Sequence, residues 1–224
     1  MPVSDLTTSA QDYLKLIWSA TEWSSEPITI GAMAERLGVT PSTVSDGIRK
    51  LAKQGLVEHA PYRSIELTPT GREHAVTMVR RHRLLETFLV ETLNYRWDEV
   101  HDEAEVLEHA VSDTLIDKID TLLGHPTRDP HGDPIPAADG TPHRPAAGPL
   151  AATEPGTNVT ITRISDANPD MLRYFAELGL KPDTRLTVLG QRPYADLTNI
   201  RIEENGHEID LGSAAAEAIW VVAA

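Results

Sequence analysis

The segment HDEAEVLEH concentrates carboxylate and imidazole groups at a regular spacing. His101, Glu105, Glu108 and His109 follow the spacing i, i+4, i+7 and i+8, so on a helix all four project from nearly one face. Residues 98–112 contain no lysine or arginine, although a solvated helix usually intersperses these with its acids. The carboxylates and imidazoles on such a face would repel one another unless a cation lay among them. The pattern therefore favours a metal site. The alternative is an acidic solvated face with incidental histidines.

A second pair of ligand-type residues precedes this segment. His82 and Glu86 are again spaced i, i+4, and carboxylate with imidazole suits Mn²⁺, Fe²⁺ or Zn²⁺. The chain has no cysteine, which excludes disulfides, thiolate zinc sites and a cysteine nucleophile and shifts the preference toward harder ions. A metallohydrolase would use the same groups, but the sequence lacks a His-Glu-x-x-His signature. We therefore predict a metal-binding protein that is not an enzyme.

A helix-turn-helix pattern lies closer to the N-terminus. Apolar residues at helical spacing predict one helix over 30–37 and another over 42–54, with Gly38 in the turn and Val39 filling the angle between them. The hairpin predicted over 56–68 resembles a wing. An ordinary pair of helices within a bundle is the alternative interpretation.

Polar residues on the second of these helices face outward and are candidate DNA contacts. Small hydroxyl groups allow close approach to base edges, and the basic side chains can neutralise phosphates. Asp46 does not fit this role by charge: it either accepts from a cytosine amino group or makes an intramolecular contact. The candidates, including one near the tip of the wing, are Thr40, Ser42, Thr43, Ser45, Asp46, Arg49, Lys50 and Arg63.

The charge of the chain is unevenly distributed. Its 224 residues include 34 acidic and 20 basic side chains, a net charge of −14. Residues 36–83 hold nine basic and four acidic residues, a balance of +5, which leaves −19 for the rest of the chain. The net charge alone argues against a nucleic-acid partner, whereas the local excess is typical of a basic docking surface on an acidic body. A solvated helix face is the simpler explanation of the same cluster.

Further helices and a small β-rich region follow the wing. Residues 72–94, 98–110 and 113–123 carry helical patterns. Eight of the sixteen prolines lie within 125–156, which favours a flexible linker over 137–155. Beyond it, alternating apolar residues, one short helix and an Asn-Gly pair typical of a type I′ turn predict a small barrel.

The composition narrows the class of protein. A hydrophobic fraction of 40% excludes wholesale disorder. No apolar run approaches the ~20 residues of a membrane span, and the first residues lack the basic and apolar regions of a signal peptide. We therefore expect a cytoplasmic protein with no membrane partner and no small-molecule substrate.

The order of these motifs carries a family resemblance. TTSAQDYLKLIW, the helix-turn-helix and wing, TPTG, RRHRLLE and VHDEAEVLEH together resemble the diphtheria-toxin-repressor family of metal-dependent transcription regulators, and PHGDPIP extends the match. The resemblance implies a mainly α fold with small β parts. Its expected parts are a winged helix-turn-helix DNA-binding domain over 1–74, a helical dimerisation and metal-binding domain over 75–136, the Pro-rich linker over 137–155 and an SH3-like (FeoA-like) β-barrel over 156–224.

The resemblance also implies metal ligands. The first group is Asp12, Glu105, Glu108 and His109, with His82 beside it. The second is His82, Glu86 and His101 with one ligand from the third domain, for which Asp166 is the best candidate and Asn168 and Asp170 are alternatives. Asp129, where some relatives have cysteine, is a further oxygen ligand candidate.

Two substitutions within the first group indicate the metal. Asp12 and Glu105 stand where iron-responsive members carry methionine and cysteine, and this is the pattern of the manganese-responsive branch. Carboxylates in place of sulfur favour a harder ion. Lys15 stands where two-domain manganese regulators carry glutamate, so their two-metal arrangement does not transfer to this chain.

Together these observations predict a homodimeric, Mn²⁺-activated repressor that binds a double-stranded DNA operator and controls metal homeostasis, with manganese-uptake genes as targets. Fe²⁺ or another divalent transition metal is the expected substitute ion. An iron-responsive regulator of the same family and a winged-helix regulator with a non-metal effector are the alternatives.

Overall fold

A computed structural model describes residues 3–23, 27–59, 64–137, 140–141 and 145–224. Arg63, the candidate DNA contact near the tip of the wing, lies outside these residues. The chain divides into two compact units. The N-terminal unit comprises Met1–His82, Val106–Ser112 and Pro136–Thr141, and the C-terminal unit comprises Arg83–Glu105, Asp113–Ile135 and Pro142–Ala224. None of the described helices is both long and apolar enough to span a membrane.

The N-terminal unit begins with three helices, followed by a short hairpin and a long helix. These elements are α1 (Thr8–Glu22), α2 (Ile30–Arg36), α3 (Pro41–Lys53), β1 (Val57–Glu58), β2 (Glu66–Leu67) and α4 (Pro69–Leu93), whose last residues belong to the C-terminal unit. Thr7, Thr29 and Thr40 cap the first three helices, each hydroxyl accepting an amide N–H of the first turn. The predicted helix-turn-helix is therefore present, and β1 pairs with β2 in the antiparallel sense expected of a wing.

The core of this unit uses the apolar positions that helical spacing predicts. Leu14, Val44 and Ile48 are fully buried, and Met33 on α2 packs in the same cluster. Val39 does not fill the angle between α2 and α3, because its side chain is 39% exposed. The predicted role of Val39 is therefore wrong, and the buried apolar residues of α2 are Met33 and Ala34.

The start of α4 depends on a close backbone approach. The Thr68 hydroxyl accepts the N–H of Gly71 at 3.1 Å, which caps the helix as the Thr-Pro-Thr-Gly sequence predicts. A Cβ atom on Gly71 would lie 1.8 Å from the carbonyl oxygen of Leu56. Glycine is therefore required here by lack of space, since α4 passes directly over the residue that precedes the wing.

The C-terminal unit contains two helices followed by a β-sheet, with two further helices between strands of that sheet. Its elements are α5 (Val100–Leu107), α6 (Asp113–Leu122), β3 (Gly148–Pro149), β4 (Asn158–Ile164), α7 (Pro169–Leu178), β5 (Arg185–Arg192), β6 (Leu197–Ile202), β7 (Glu208–Gly212), α8 (Ser213–Glu217) and β8 (Ile219–Ala223). The strands form one antiparallel sheet in the order β3-β8-β4-β5-β6-β7, packed on α7 through Leu172 and Phe175.

Helix α5 is shorter than the sequence indicates. The spacing predicts a helix to residue 110, but α5 ends at Leu107, so Glu108 and His109 lie in the following turn. The carbonyl oxygen of Glu108 accepts from Arg81 at 3.5 Å, so a guanidinium serves it in place of a helical N–H. The four ligand candidates therefore do not all share one helix.

Two local features of the β region also differ from expectation. The β6–β7 hairpin forms, but of its Asn205-Gly206 pair only Gly206 has a positive φ, so the turn is not type I′. Instead, the Asn205 side chain accepts the N–H of His207 at 2.9 Å. Within the stretch predicted as a linker, β3 pairs with β8 and Leu150 is fully buried in the core of the sheet. The sequence did not indicate this strand, because the stretch is rich in proline and its one large apolar residue, Leu150, gives no periodic signal.

Candidate metal centres and DNA-binding surface

The N-terminal unit brings together a carboxylate from α1 and two residues that follow α5. Asp12, Glu108 and His109 each offer a ligand atom, and these atoms lie within 4.8 Å of one another. His109 Nε2 is 3.0 Å from Asp12 Oδ1 and 3.7 Å from Glu108 Oε1. We call these three residues the first centre.

Gln11 determines which nitrogen of His109 faces the first centre. The Gln11 amide nitrogen donates to the carbonyl oxygens of Val3 and Leu6 at 2.9 and 3.1 Å, so its oxygen must point the other way. That oxygen lies 2.7 Å from His109 Nδ1, which must therefore carry a proton and donate it. The lone pair of the neutral ring is then on Nε2, toward Asp12, which is the tautomer that a metal ligand requires. Sequence analysis did not identify Gln11.

Glu108 is fully buried, and each of its carboxylate oxygens has a close polar partner. Its Oε1 lies 2.7 Å from Lys15 Nζ, and its Oε2 lies 2.6 Å from His82 Nδ1. Burial alone would raise the pKa of Glu108, but the hydrogen bond from His82 and the charge of Lys15 lower it below its ordinary value. Glu108 is therefore a carboxylate, as a ligand must be. His82, which the resemblance assigns to the second ligand group, contacts Glu108 within this unit.

The C-terminal unit contains a second group of candidate ligands. Glu86 on α4, His101 on α5 and Asp166 after β4 each offer an atom, and these atoms lie within 4.8 Å of one another. His101 Nδ1 is 3.2 Å from Glu86 Oε1 and 3.3 Å from Asp166 Oδ2. We call Glu86, His101 and Asp166 the second centre.

The pKa values of His101 and Asp166 indicate that the second centre stabilises a positive charge. Burial alone would lower the pKa of His101, but its bonds to Asp166 and Glu86 raise that pKa to about 11. The pKa of Asp166 is correspondingly lowered, mainly by His101 against the effect of burial. A proton on His101 thus holds two carboxylates together.

His131 is a ligand candidate that sequence analysis missed. Glu86, Asp129 and His131 are all buried and offer atoms within 4.8 Å of one another. His131 Nε2 lies 2.7 Å from the carbonyl oxygen of Trp97, which fixes a proton on that nitrogen, and Nδ1 faces Glu86 Oε2 at 3.8 Å. Burial would lower the pKa of His131, but Glu86 and Asp129 raise it to about 10. The Pro-His-Gly motif was the available signal, although it has no ligand spacing of its own.

Asp129 also has a structural role. Its Oδ1 accepts the N–H groups of His131 and Asp133, both at 2.9 Å, and so shapes the turn that presents His131. Burial, and then the charges of Asp133 and Glu86, raise the pKa of Asp129 well above its ordinary value. Asp129 therefore remains a candidate ligand with one oxygen already committed to the backbone.

The remaining ligand candidates differ in the groups that they contact. Asn168 caps α7, since its side-chain oxygen accepts two N–H groups of the first turn. Asp170 is paired with Arg173 on the same helix. Asp166 alone of the three third-domain candidates meets His101 among the described contacts. Glu105 lies 3.5 Å from His101 Nε2 within the C-terminal unit.

The donor sets fit a divalent cation of intermediate hardness. Both centres offer only carboxylate oxygens and imidazole nitrogens, and the chain contains no cysteine to provide a thiolate. Such sets suit Mn²⁺ and Fe²⁺ better than ions that require sulfur.

The candidate DNA contacts on α3 lie at the surface. Ser42, Thr43, Asp46, Arg49 and Lys50 are exposed and Ser45 is half-buried. The hydroxyl of Thr40 caps α3 and lies 2.8 Å from that of Ser42 and 2.9 Å from that of Thr43. Asp46 accepts a hydrogen bond from Arg49 at 2.6 Å, which is the intramolecular contact that the sequence left open as one of its two roles.

Comparison with protein families matches three successive models. Residues 5–65 match "Iron dependent repressor, N-terminal DNA binding domain", residues 68–137 match "Iron dependent repressor, metal binding and dimerisation domain", and residues 148–223 match "FeoA domain".

Individual proteins and structures are similar over most of the chain. The Iron-dependent repressor IdeR of Mycobacterium leprae (strain TN) is 30% identical over an alignment of 202 positions, which covers 83% of this chain and 86% of that protein. A structure described as "Manganese-dependent transcriptional repressor complex with manganese" is 58% identical with a TM-score of 0.93, covering 96% of this chain and 100% of that one. A structure of the manganese regulator SloR is 33% identical with a TM-score of 0.82, covering 96% and 98%. The predicted fold class, with its three parts, is confirmed.

Proposed function

The chain belongs to the iron-dependent repressor family of DNA-binding transcription regulators, and we propose that manganese is the ion that activates it as a repressor. The observation that carries the choice of metal is the donor set of the first centre. Asp12, Glu108 and His109 supply two carboxylates and one imidazole, with no sulfur atom in the whole chain except those of methionine. The similarity to a repressor solved with manganese supports the same choice.

The proposed ligands fall into two groups. At the first centre they are Asp12, Glu108 and His109. At the second centre they are Glu86, His101 and Asp166, with Asp129 and His131 as additional candidates. His82 in the N-terminal unit and Glu105 in the C-terminal unit complete the set of proposed ligands. A bound divalent cation would supply positive charge that neutralises these buried carboxylates.

The first centre offers a physical link between metal and DNA. Asp12 projects from α1, which packs against α3 in the same core, whereas Glu108 and His109 follow α5. Residues from two elements that share one ion lose relative freedom, and a more rigid protein incurs a smaller entropic cost when it binds an operator. Metal and DNA affinity then strengthen each other by the same coupling free energy, typically ~1–3 kcal/mol.

We further propose that the protein acts as a homodimer on double-stranded DNA. Two copies of α3 would enter major-groove segments about 34–36 Å apart. The proposed domains are the DNA-binding domain over 1–74, the dimerisation and metal domain over 75–136, and a C-terminal domain that starts at 148, where the FeoA model and β3 begin. Manganese-uptake genes are the proposed targets.

Operator binding with and without metal tests this function. A duplex selected from random DNA by the Mn²⁺-loaded protein would be titrated by fluorescence anisotropy. For a coupling of ~1–3 kcal/mol, Mn²⁺ should tighten wild-type binding roughly 5- to 150-fold. Asp12→Ala should abolish that effect, whereas Asp5→Ala, an exposed acid of the same unit, should retain it. Equal affinities in all cases would refute metal activation, and a stronger response to Fe²⁺ under anaerobic conditions would make iron the activating ion.

The DNA-contact proposal has its own test. If Arg49 neutralises a phosphate, Arg49→Ala should weaken binding to all sequences and reduce the salt slope by about one. Arg192→Ala, an exposed arginine of the C-terminal sheet, is the matched control and should leave the slope unchanged. An unaltered slope in Arg49→Ala would remove that residue from the interface.

A further inference from the structure

A lysine lies beside the candidate metal ligands of the first centre. Lys15 follows Asp12 by three residues on α1, so both side chains project from the same face. Its Nζ is 2.7 Å from Glu108 Oε1, and the Lys15 side chain is only 13% exposed. The same Oε1 lies 3.7 Å from His109 Nε2. The ammonium therefore contacts the carboxylate oxygen that is turned toward the other ligands.

The second oxygen of Glu108 is engaged as well. His82 Nδ1 lies 2.6 Å from Oε2, so each oxygen of this buried carboxylate has a close polar partner. A divalent cation that binds Glu108 would meet a charge of its own sign at hydrogen-bonding distance from Oε1. Solvent screens such repulsion poorly, because Glu108 is fully buried and Lys15 nearly so.

We propose that Lys15 sets the metal affinity of the first centre: its ammonium neutralises Glu108 in the metal-free protein and competes with the divalent cation for that carboxylate. This inference rests on the proposed function, since it takes the first centre to be a metal site. The lysine cannot diffuse away, so every binding event includes the loss or weakening of the Lys15–Glu108 bond.

A purely structural ion pair would have the same geometry but the opposite consequence. If Lys15 only held α1 against the turn after α5, its removal would loosen the ligands and weaken metal binding. If Lys15 competes with the metal, its removal strengthens metal binding and, at the same time, destabilises the metal-free protein, because Glu108 loses a partner. The lowered pKa of Glu108 agrees with a stabilised carboxylate in the metal-free state.

Isothermal titration with MnCl₂ separates these two cases. The full-length chain would carry His101→Ala to remove a ligand of the second centre, so that the first centre is titrated alone. Lys15→Met keeps the length of the side chain and removes its charge. One charge-assisted hydrogen bond is lost as a competitor, so the Mn²⁺ dissociation constant should fall roughly ten- to hundredfold. Lys15→Arg should stay within about threefold of the parent, since it retains the charge.

Two controls keep the result interpretable. Lys181→Met makes the same change at an exposed position and should leave the affinity unaltered. Thermal unfolding of metal-free Lys15→Met should show a lower Tm, and a saturating concentration of Mn²⁺ should raise it by more than in the parent. Unchanged or weaker Mn²⁺ binding by Lys15→Met would overturn the role of Lys15 and leave the proposed function intact. A parent protein that binds no Mn²⁺ at all would overturn both.

Discussion

Gln11 offers a direct test of how the first centre is positioned. Its amide joins the N-terminal backbone to His109 through three hydrogen bonds of 2.7, 2.9 and 3.1 Å, and its side chain is 3% exposed. Gln11→Leu keeps the approximate volume and removes all three bonds. The ring of His109 then loses the partner that fixes its tautomer and its orientation toward Asp12.

The expected magnitudes follow from the number of groups that lose a partner. Two carbonyl oxygens and one N–H lose a bond in a buried setting, so the free energy of unfolding should fall by about 2–4 kcal/mol. Removing the partner that orients a histidine ligand typically costs 10- to 100-fold in metal affinity. We expect a loss of that size in Mn²⁺ binding at the first centre.

Gln11→Glu separates orientation from anchoring. A carboxylate still accepts from His109 Nδ1, but it cannot donate to the carbonyl oxygens of Val3 and Leu6. This variant should therefore be less stable than the wild type yet bind Mn²⁺ at least as tightly, because the added negative charge favours a cation.

The assay is Mn²⁺ titration calorimetry together with urea unfolding of the metal-free protein. Both variants would be made in the His101→Ala background, so that one centre is observed. Wild-type affinity in Gln11→Leu, or an equally large loss in Gln11→Glu, would refute the tautomer argument, since only the former variant lacks an acceptor for His109.

Two further predictions concern proton release and packing. His101 and His131 have pKa values of about 11 and about 10, above the ordinary 6.5, so both carry a proton at pH 7.5 that must leave before they can ligate. Mn²⁺ affinity at the second centre should therefore rise with pH between 7 and 9, and titrations in buffers of different ionisation enthalpy should report about two protons released per ion; a pH-independent affinity would contradict this. Gly71→Ala should destabilise the protein by about 1–3 kcal/mol in urea unfolding, because its Cβ would meet the Leu56 carbonyl oxygen at 1.8 Å. Gly31→Ala, whose Cβ has no neighbour closer than 3.9 Å, should be neutral or stabilising by up to ~1 kcal/mol, and equal stability of the two variants would contradict the steric argument.

Local patterns in the sequence predicted the features that depend on local geometry. The start of α4 at Thr68-Pro69 and the buried positions Leu14 and Val44 follow from capping chemistry and from the helical period. The spacing of His101 and the residues after it predicted ligand-type side chains in this segment, but not that they divide between two centres, because Glu108 and His109 lie beyond the end of α5. Capping and helical spacing predict local structure because residues four apart on a helix are neighbours in any fold.

The contacts that the sequence does not predict join residues that are far apart in the chain. Gln11 and His109 are 98 positions apart, and Lys15 and Glu108 are 93 positions apart. His131 is oriented by Trp97, which lies 34 positions earlier. No periodicity links such pairs, because tertiary packing alone brings them together. The resemblance to a family did not supply these contacts either, since it singled out Lys15 only as a departure from relatives and not as a partner of Glu108.

The two centres differ in the internal cation that holds their carboxylates before a metal ion binds. At the second centre the cations are protons on His101 and His131, and both can leave for solvent. Exchange of two protons for one divalent ion leaves the local charge unchanged, so the surrounding carboxylates are neutralised in both states. At the first centre the cation is the ammonium of Lys15, which keeps its charge and remains attached to α1. Metal binding there adds charge to a site that already holds a cation, and so it requires a higher metal concentration. If Lys15 competes as proposed, the first centre is the weaker site, and its occupation is the step at which the concentration of metal is sensed.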